Sequence, residues 1–406
     1  MLLIAESIES DGDVDLRDEY RGAIYDEWTG GRALAPAGGL TEGRLHEPPG
    51  VGLALLVWPA YAAFGAIGVE LLIAALFALA FVAAAAIARR LVPEPWATGA
   101  ALAGGLSPPA LAWSTTIAPE PVAAAAIAGA ARFALRVRHA PAPRRAVLAA
   151  LLVGSLPWLS MKLVPVAAVA AAALARWLRR RQRGMSAFVA LEVVLVSAVA
   201  LITVNERLYG GLTPYNAMPG APTGASGIGE YLERLPRLVE VFLDPERGIL
   251  VWAPLGALAF LALELLTRSL REHLAVALPS VVDVEVAAGF LALLCAAQVL
   301  VAAFLAPTLE GDWFEGRELI PVLPVATALA AWGLRHAPRA GGALIALTLG
   351  GSVWLLVGAR AGDAHLSPRE GPLPWAGAEP AIAALAALAI VVLLGRELLR
   401  DRSLGS

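Results

Sequence analysis

The chain has 406 residues, of which 58% are hydrophobic and only 16% charged, and its formal net charge is −3. Soluble domains carry about 25% charged residues, so this composition excludes an ordinary soluble enzyme and predicts a multi-span membrane protein. The single cysteine, Cys295, excludes a disulfide framework and a CxxC metal site. With no excess of basic residues, we expect no nucleic-acid partner.

The chain begins with an acidic, polar arm, residues 1–50, which holds eleven of the 34 Asp and Glu residues. Three aromatic residues, Tyr20, Tyr25 and Trp28, are interleaved with these acids. This mixture predicts a folded arm with a sugar-stacking surface rather than a disordered tail. The alternative is a solvated acidic loop.

One stretch of the arm, Asp11-Gly12-Asp13-Val14-Asp15, resembles a calcium-binding loop. The EF-hand pattern fails because Leu16 and Gly22 stand where that loop needs Gly and Glu. A looser divalent site at Asp11 and Asp13 remains a hypothesis.

An apolar segment, Val51–Gly65, follows the arm and is short for a membrane span. We expect residues 51–68 to form an interfacial, juxtamembrane helix. Apolar windows in residues 69–406 then predict about eleven transmembrane helices and one large outer loop, 205–247. These helices are expected near 69–91, 97–115, 119–138, 145–160, 163–178, 186–205, 248–267, 283–306, 319–335, 340–359 and 377–396. The predicted fold class is therefore all-α, a polytopic membrane helix bundle.

Arginine clusters predict the orientation of this bundle, because basic loops face the cytoplasm. Groups such as Arg89/Arg90 and the arginines of 132–145 fall on one side, and the acidic arm falls on the other. The arm and the 205–247 loop are therefore predicted to lie outside, with the C-terminus in the cytoplasm. An odd number of helices with an outer N-terminus predicts a further helix upstream of Met1.

Isolated polar side chains near the predicted helix ends are candidates for substrate binding, since charge close to the hydrocarbon is costly. Lys162, the only lysine, lies in an outward turn, and Arg317 begins a predicted helix on the same side. Both suit phosphate, and we expect them to act on a ligand rather than on the fold. The other candidates are His46, Glu47, Glu120, Arg207 and Tyr209. For Lys162 the alternative is a side chain that snorkels from a helix end, and for His46 and Glu47 it is a helix-start signal without a ligand.

The sequence carries no Walker loop, no GxGxxG after a strand, no Ser-His-Asp spacing and no zinc signature, so a soluble nucleotide-sugar site is not expected. Several short motifs instead resemble a bacterial family of GT-C membrane glycosyltransferases. The wider group includes protein O-mannosyltransferases and lipid A aminoarabinose transferases. The motifs are the 6–20 run, Pro48-Pro49-Gly50, Pro59-Ala60-Tyr61, Pro119-Glu120-Pro121, Leu156-Pro157-Trp158-Leu159, Arg207-Leu208-Tyr209-Gly210 and the 316–324 segment.

The resemblance implies an enzyme of the bacterial cytoplasmic membrane that moves a sugar from a polyprenyl-phosphate donor to a glycan, lipid or protein acceptor on the outer face. It also implies an acidic pair directly after the first transmembrane helix, which acts as base or metal ligand. This chain starts just past that point, so its arm carboxylates are neighbours of the expected base rather than matches to it. The candidate catalytic carboxylates are Asp11, Asp13, Asp18 and Glu19. A divalent cation, Mg²⁺ or Mn²⁺, is left open, with Asp11 and Asp13 as its candidate ligands.

In such an enzyme a carboxylate deprotonates the acceptor hydroxyl while the lipid phosphate leaves the anomeric carbon. Lys162, Arg207 and Arg317 would neutralise that phosphate. Two other classes stay open, a transporter or flippase of a lipid-linked substrate and an inactive, truncated relative that only binds glycolipid. The charges cluster outside rather than at the midplane, which disfavours a transporter.

Overall fold

A computed structural model describes the whole chain except residues 30, 32, 49, 141, 181–183, 218–226, 246–247, 273–278, 307–308, 310–313, 315, 362–378 and 405–406. The described residues are helical apart from turns and one short hairpin, in which β1 (Leu40–Thr41) pairs antiparallel with β2 (Arg44–Leu45). The all-α prediction is therefore confirmed.

The arm is folded onto the helical body. Its helices are α1 (Leu2–Ser10), α2 (Arg17–Arg21) and α3 (Asp26–Thr29). They enclose a small apolar cluster of their own that includes Leu3, Ile4, Leu16, Tyr25, Leu45, Val51 and Ala54. The aromatic residues pack in or against this cluster, so they stabilise the arm rather than form an open stacking surface.

Helix α4 (Gly52–Ala88) joins the arm to the bundle and is interrupted once, at Gly65. The φ of Gly65 is 62° and its ψ is −152°, a combination that only glycine adopts readily. The first half of α4 donates hydrogen bonds to α1, from Trp58 to Glu9 at 2.8 Å and from Tyr61 to Glu6 at 2.7 Å. The break lies inside the predicted interfacial helix, residues 51–68, and the position of that helix relative to the bilayer stays a prediction.

The remaining helices form the body around a single large core. They are α5 (Trp96–Gly105), α6 (Pro108–Ser114), α7 (Pro119–His139), α8 (Pro143–Leu159), α9 (Val164–Arg180), α10 (Gly184–Tyr209), α11 (Ile228–Glu233), α12 (Arg237–Leu243), α13 (Ile249–Trp252), α14 (Ala257–Arg271), α15 (Pro279–Leu300), α16 (Leu323–His336), α17 (Pro338–Ala361) and α18 (Glu379–Leu404). Short 3₁₀ turns at Met161–Leu163, Pro214–Ala217, Pro254–Gly256 and Arg317–Val322 and a π-turn at Val301–Leu305 complete the described elements.

Helices α4, α7 and α8 pack side by side, and α7 contributes a buried face made largely of alanine. Small side chains let helix backbones approach closely, which is how helices associate in a medium as apolar as their own surfaces. The second half of α4 adds Phe77 and Phe81, which meet edge to face at 5.3 Å and are buried. This three-helix layer positions the site described below.

The prediction of about eleven transmembrane helices is wrong. Helical structure occurs in all the predicted windows, but within the described residues only six helices are long and apolar enough to cross a membrane. These are Gly52–Ala88, Met161–Arg179, Met185–Ala217, Val281–Leu305, Arg317–His336 and Pro338–Val357. The 97–115 window is divided by Ser107, whose extended backbone separates α5 from α6. The 248–267 window is divided at Ala253, before Pro254.

Candidate functional site

A cavity of about 370 Å³ lies where the arm meets the ends of α4, α7, α8 and α10. Apolar residues and several charged side chains line it, and we call it the polar cavity because of those charges. Four of the predicted binding residues, Glu47, Glu120, Lys162 and Arg317, line it. They come from distant parts of the chain, so only the tertiary fold brings them together. The cavity volume is within the range of small-molecule sites, about 300–1,000 Å³.

Local backbone signals place the cavity residues. Proline at the first position of α7, after the extended Ala118, puts Glu120 in the first turn of that helix, where a negative charge is favoured. Ser160 adopts an extended conformation that ends α8, and the following 3₁₀ turn presents Lys162. Gly316 adopts a left-handed conformation, φ 78°, directly before Arg317.

Arg317 and Glu120 form an ion pair, with the Arg317 Nε 2.6 Å from the Glu120 Oε1. Their side chains are 30% and 12% exposed, so the pair is mostly removed from water. The second carboxylate oxygen of Glu120, Oε2, is buried and accepts no hydrogen bond from a described residue. The positive charge of Arg317 therefore compensates the buried negative charge of Glu120 on α7.

Lys162 and Glu318 form a second ion pair, with the Lys162 Nζ 2.7 Å from the Glu318 Oε1. The Gln298 side chain donates to the backbone carbonyl of Glu318 at 2.6 Å and fixes this segment to α15. Through these ion pairs Arg317 links the 3₁₀ helix at Arg317 to α7, and Lys162 links the α8–α9 turn to the same 3₁₀ helix. The expectation that they serve a ligand and not the fold is incomplete, because both hold elements together.

Glu47 is the arm carboxylate that reaches the cavity. Its Oε1 accepts a hydrogen bond from the Tyr20 hydroxyl at 2.7 Å and one from the Ala37 backbone N–H at 3.1 Å. Burial raises the pKa of Tyr20, and the bond to Glu47 raises it further, so the phenol stays a donor at neutral pH. Glu47 is consequently held in one orientation beside the cavity.

Three other predicted binding residues lie elsewhere in the described structure. His46 is buried, its Nδ1 hydrogen-bonds the Val14 carbonyl at 3.0 Å, and its ring meets that of Tyr209 edge to face at 5.9 Å. This contact attaches the arm to α10 and does not line the cavity. Arg207 is exposed and is also outside the described cavity lining.

The predicted catalytic carboxylates are likewise outside the cavity lining that the structure describes. Asp11, Asp13 and Asp18 are exposed on the arm. Glu19 is buried, and this burial raises the pKa of its carboxyl. The described residues contain no group of three or more His, Cys, Asp or Glu side chains that could hold a metal ion. A divalent site at Asp11 and Asp13 therefore stays a prediction without a third described ligand.

Sequence reasoning missed Glu318 and Asn205. Asn205 lines the cavity, is buried, and donates to the Leu212 carbonyl at 2.9 Å. Glu318 is the partner of Lys162. An acid directly after Arg317 in an apolar stretch was the available signal, but its partner lies 156 residues away in sequence.

An apolar groove of about 670 Å³ opens beside the cavity, between α4, α7 and α8. The two spaces share Gly52, Trp158 and Leu159 in their walls. The lining of the groove is mostly aliphatic and aromatic, with Arg132 and Ser155 as its polar members, and Leu55 and Leu79 of the lining are exposed. The polar cavity and the apolar groove are thus adjacent spaces that share part of their walls.

Comparisons with protein-family models, with curated proteins and with solved structures find no match for this chain. The likeness to GT-C glycosyltransferases therefore stays a prediction from the motifs.

Proposed function

We propose that the chain is an integral membrane glycosyltransferase. It would bind a polyprenyl-phosphate sugar donor and transfer the sugar to an acceptor on the outer face of the bacterial cytoplasmic membrane. The observation that carries this proposal is that the polar cavity and the apolar groove are adjacent and share Gly52, Trp158 and Leu159 in their walls. A ligand that fills both spaces must have a polar head and a long apolar chain, as a lipid-linked sugar does.

The head of such a donor would lie beside Lys162 and Arg317. The Lys162 ammonium has three N–H donors and its ion pair with Glu318 uses one of them, and charge-assisted bonds to phosphate are the stronger kind. Glu120 and Glu318 hold the two cations in place before a ligand arrives. Preorganised donors of this sort stabilise charge that develops on a leaving group.

Glu47 replaces the predicted arm carboxylates as the candidate base, because it lines the cavity and they do not. It would take the proton of the acceptor hydroxyl as that oxygen bonds to the anomeric carbon. The bond from the anomeric carbon to the phosphate oxygen breaks, and the lipid phosphate leaves with the electron pair. Tyr20 and Ala37 orient Glu47 throughout.

A protein that binds glycolipid without catalysis is the second candidate, because the same cavity and groove would serve it. A transporter or flippase is the third. Sugar transfer by the purified full-length chain in vesicles separates the first from both others. Gradient-driven movement of the lipid without transfer would identify the third.

The groove is tested by binding of undecaprenyl phosphate to the reconstituted protein. Ala125→Phe, at a half-buried position in the groove wall, should lower the affinity at least about tenfold, because the ring occupies space needed by the chain. Leu148→Phe, at an exposed position on α8 outside the described groove lining, is the matched control and should change it less than about twofold. Equal affinity in the two variants would argue against this groove as the lipid site.

The catalytic role is tested with Glu47→Gln, whose amide oxygen can still accept from Tyr20 and Ala37. Transfer of radiolabelled sugar from polyprenyl-phosphate donors should fall about 10²- to 10⁴-fold, while undecaprenyl phosphate binds as before. Transfer at the wild-type rate would remove Glu47 from the mechanism. Failure of the wild-type chain to transfer any sugar, with lipid binding intact, would favour the glycolipid-binding alternative.

A further inference from the structure

Helices α11 and α12 carry a continuous apolar stripe that no described element covers. Its members are Ile228, Leu232, Leu235, Val239 and Leu243, which are between 47% and 81% exposed. Their spacing of three or four residues puts them on one face of a helical path. Backbone hydrogen bonds from the Leu235 N–H to the Leu232 carbonyl and from the Glu240 N–H to the Pro236 carbonyl continue the helical path across the junction of the two helices.

The opposite face of the same segment is attached to the bundle. The Arg234 side chain donates to the Phe304 carbonyl at 2.6 Å, and the Arg237 side chain donates to the Ala306 carbonyl at 3.0 Å. These carbonyls lie at the end of the candidate span Val281–Leu305, where a helix has no partners of its own. The two arginines therefore fix α11 and α12 at the level of a helix end.

The surroundings point to lipid rather than to water or protein. The segment follows the candidate span Met185–Ala217 in the chain, and only 11% of the apolar window of that span is buried inside the protein, so α10 presents most of its apolar surface outward. Tyr231 sits between the two faces, with its ring 6.0 Å from the Arg234 guanidinium. Tyrosine is enriched where membrane and water meet.

We propose that α11 and α12 form an interfacial, amphipathic segment whose apolar stripe is inserted into the lipid surface of the membrane. Such a helix lies in the interface plane, with its apolar face at the boundary between head groups and acyl chains. The segment begins after the 3₁₀ turn at Pro214–Ala217, which includes Tyr215 of the cavity lining. The π-turn Val301–Leu305, to which Arg234 is bonded, also contacts the Met161–Leu163 turn that carries Lys162 of the cavity lining, so the segment is attached near the polar cavity. This inference depends on a membrane location and not on glycosyl transfer.

Spin labels test the proposal in the full-length chain reconstituted into lipid nanodiscs. Nitroxides are placed at Val239→Cys and Leu232→Cys on the stripe and at Glu233→Cys on the exposed polar side, each in a Cys295→Ala background. Both stripe labels should be more accessible to oxygen than to a water-soluble nickel chelate. The label at Glu233→Cys should show the reverse.

Two results would overturn the proposal. Equal nickel accessibility at Val239→Cys and Glu233→Cys would place the stripe in water. Shielding of both stripe labels from both reagents would show that protein, such as a second copy of the chain, covers it. Comparing two stripe positions keeps the test valid if one label disturbs the local fold.

Discussion

The ion pair between Arg317 and Glu120 allows a prediction that separates folding from ligand binding. Arg317→Gln removes the positive partner of a carboxylate that is 12% exposed and has one oxygen without a described hydrogen bond. Breaking a fully buried pair costs about 3–5 kcal/mol, whereas an exposed pair is worth about 0.2–1 kcal/mol. Because Arg317 is 30% exposed, we expect a loss of about 2–3 kcal/mol in the free energy of unfolding.

A second substitution, Glu120→Gln, should recover most of that loss, because the double variant no longer buries an uncompensated charge. Denaturant unfolding in detergent of the wild type, both single variants and the double variant gives the coupling energy between the two side chains. The double variant also keeps the net charge of the site. Long-range electrostatics are therefore matched to the wild type.

Binding of undecaprenyl phosphate is then measured on the double variant, whose fold is restored. If Arg317 contacts the phosphate, affinity should still be about ten- to a hundredfold weaker, the equivalent of one charge-assisted hydrogen bond of about 1.5–3 kcal/mol. Wild-type affinity in the double variant would refute the ligand role and leave Arg317 structural. A cost below about 0.5 kcal/mol for Arg317→Gln would refute the reasoning about the buried pair.

Two further predictions concern stability. Gly52→Ala should destabilise the fold by about 1–3 kcal/mol in thermal or denaturant unfolding, because the new Cβ would lie 2.1 Å from the Trp158 carbonyl oxygen. Gly99→Ala is the control and should not lower the stability, because the Cβ there would stand in open space within α5. Burial raises the pKa of the Glu19 carboxyl above its ordinary value of 4.5, so the folded protein binds a proton on this carboxyl more tightly than the unfolded chain does. The stability that Glu19 contributes is therefore present below pH 4.5 and is lost as the pH rises through the raised pKa. Glu19→Gln should therefore raise the melting temperature at about pH 7 and have little effect at about pH 4, and an equal effect at both would contradict the assignment.

The helical class and the position of most helices could be predicted, because apolar windows of this length have few other folded forms in a membrane. The interfacial helix was predicted over residues 51–68, and the break in α4 falls inside that range, at Gly65. The number of membrane spans could not be predicted, because a hydropathy average over a window does not detect a short break in the helix. Ser107 and Ala253 each precede a proline and interrupt windows that look continuous in composition.

The candidate site was predicted in part. Charges placed against an apolar background identified Glu47, Glu120, Lys162 and Arg317, which the fold brings to one cavity. The arm carboxylates were chosen for their position near an expected motif, and proximity in sequence does not place a side chain in a cavity. The partner of Lys162 could not be found from local pattern, because Glu318 reaches it only through the packing of α15 and the 3₁₀ helix at Arg317.

The break at Gly65 has a mechanical consequence. The half of α4 before it carries Trp58 and Tyr61 and holds the arm, and the half after it carries Phe77 and Phe81 in the core. A Cβ on Gly65 would have no other atom of the described residues within 4 Å, so the positive φ, and not crowding, is what requires glycine at the break. Leu53 and Val57, before the break, are buried in the same core as Phe77 and Phe81, so that core holds both halves of α4 and, through Trp58 and Tyr61, the arm beside the cavity.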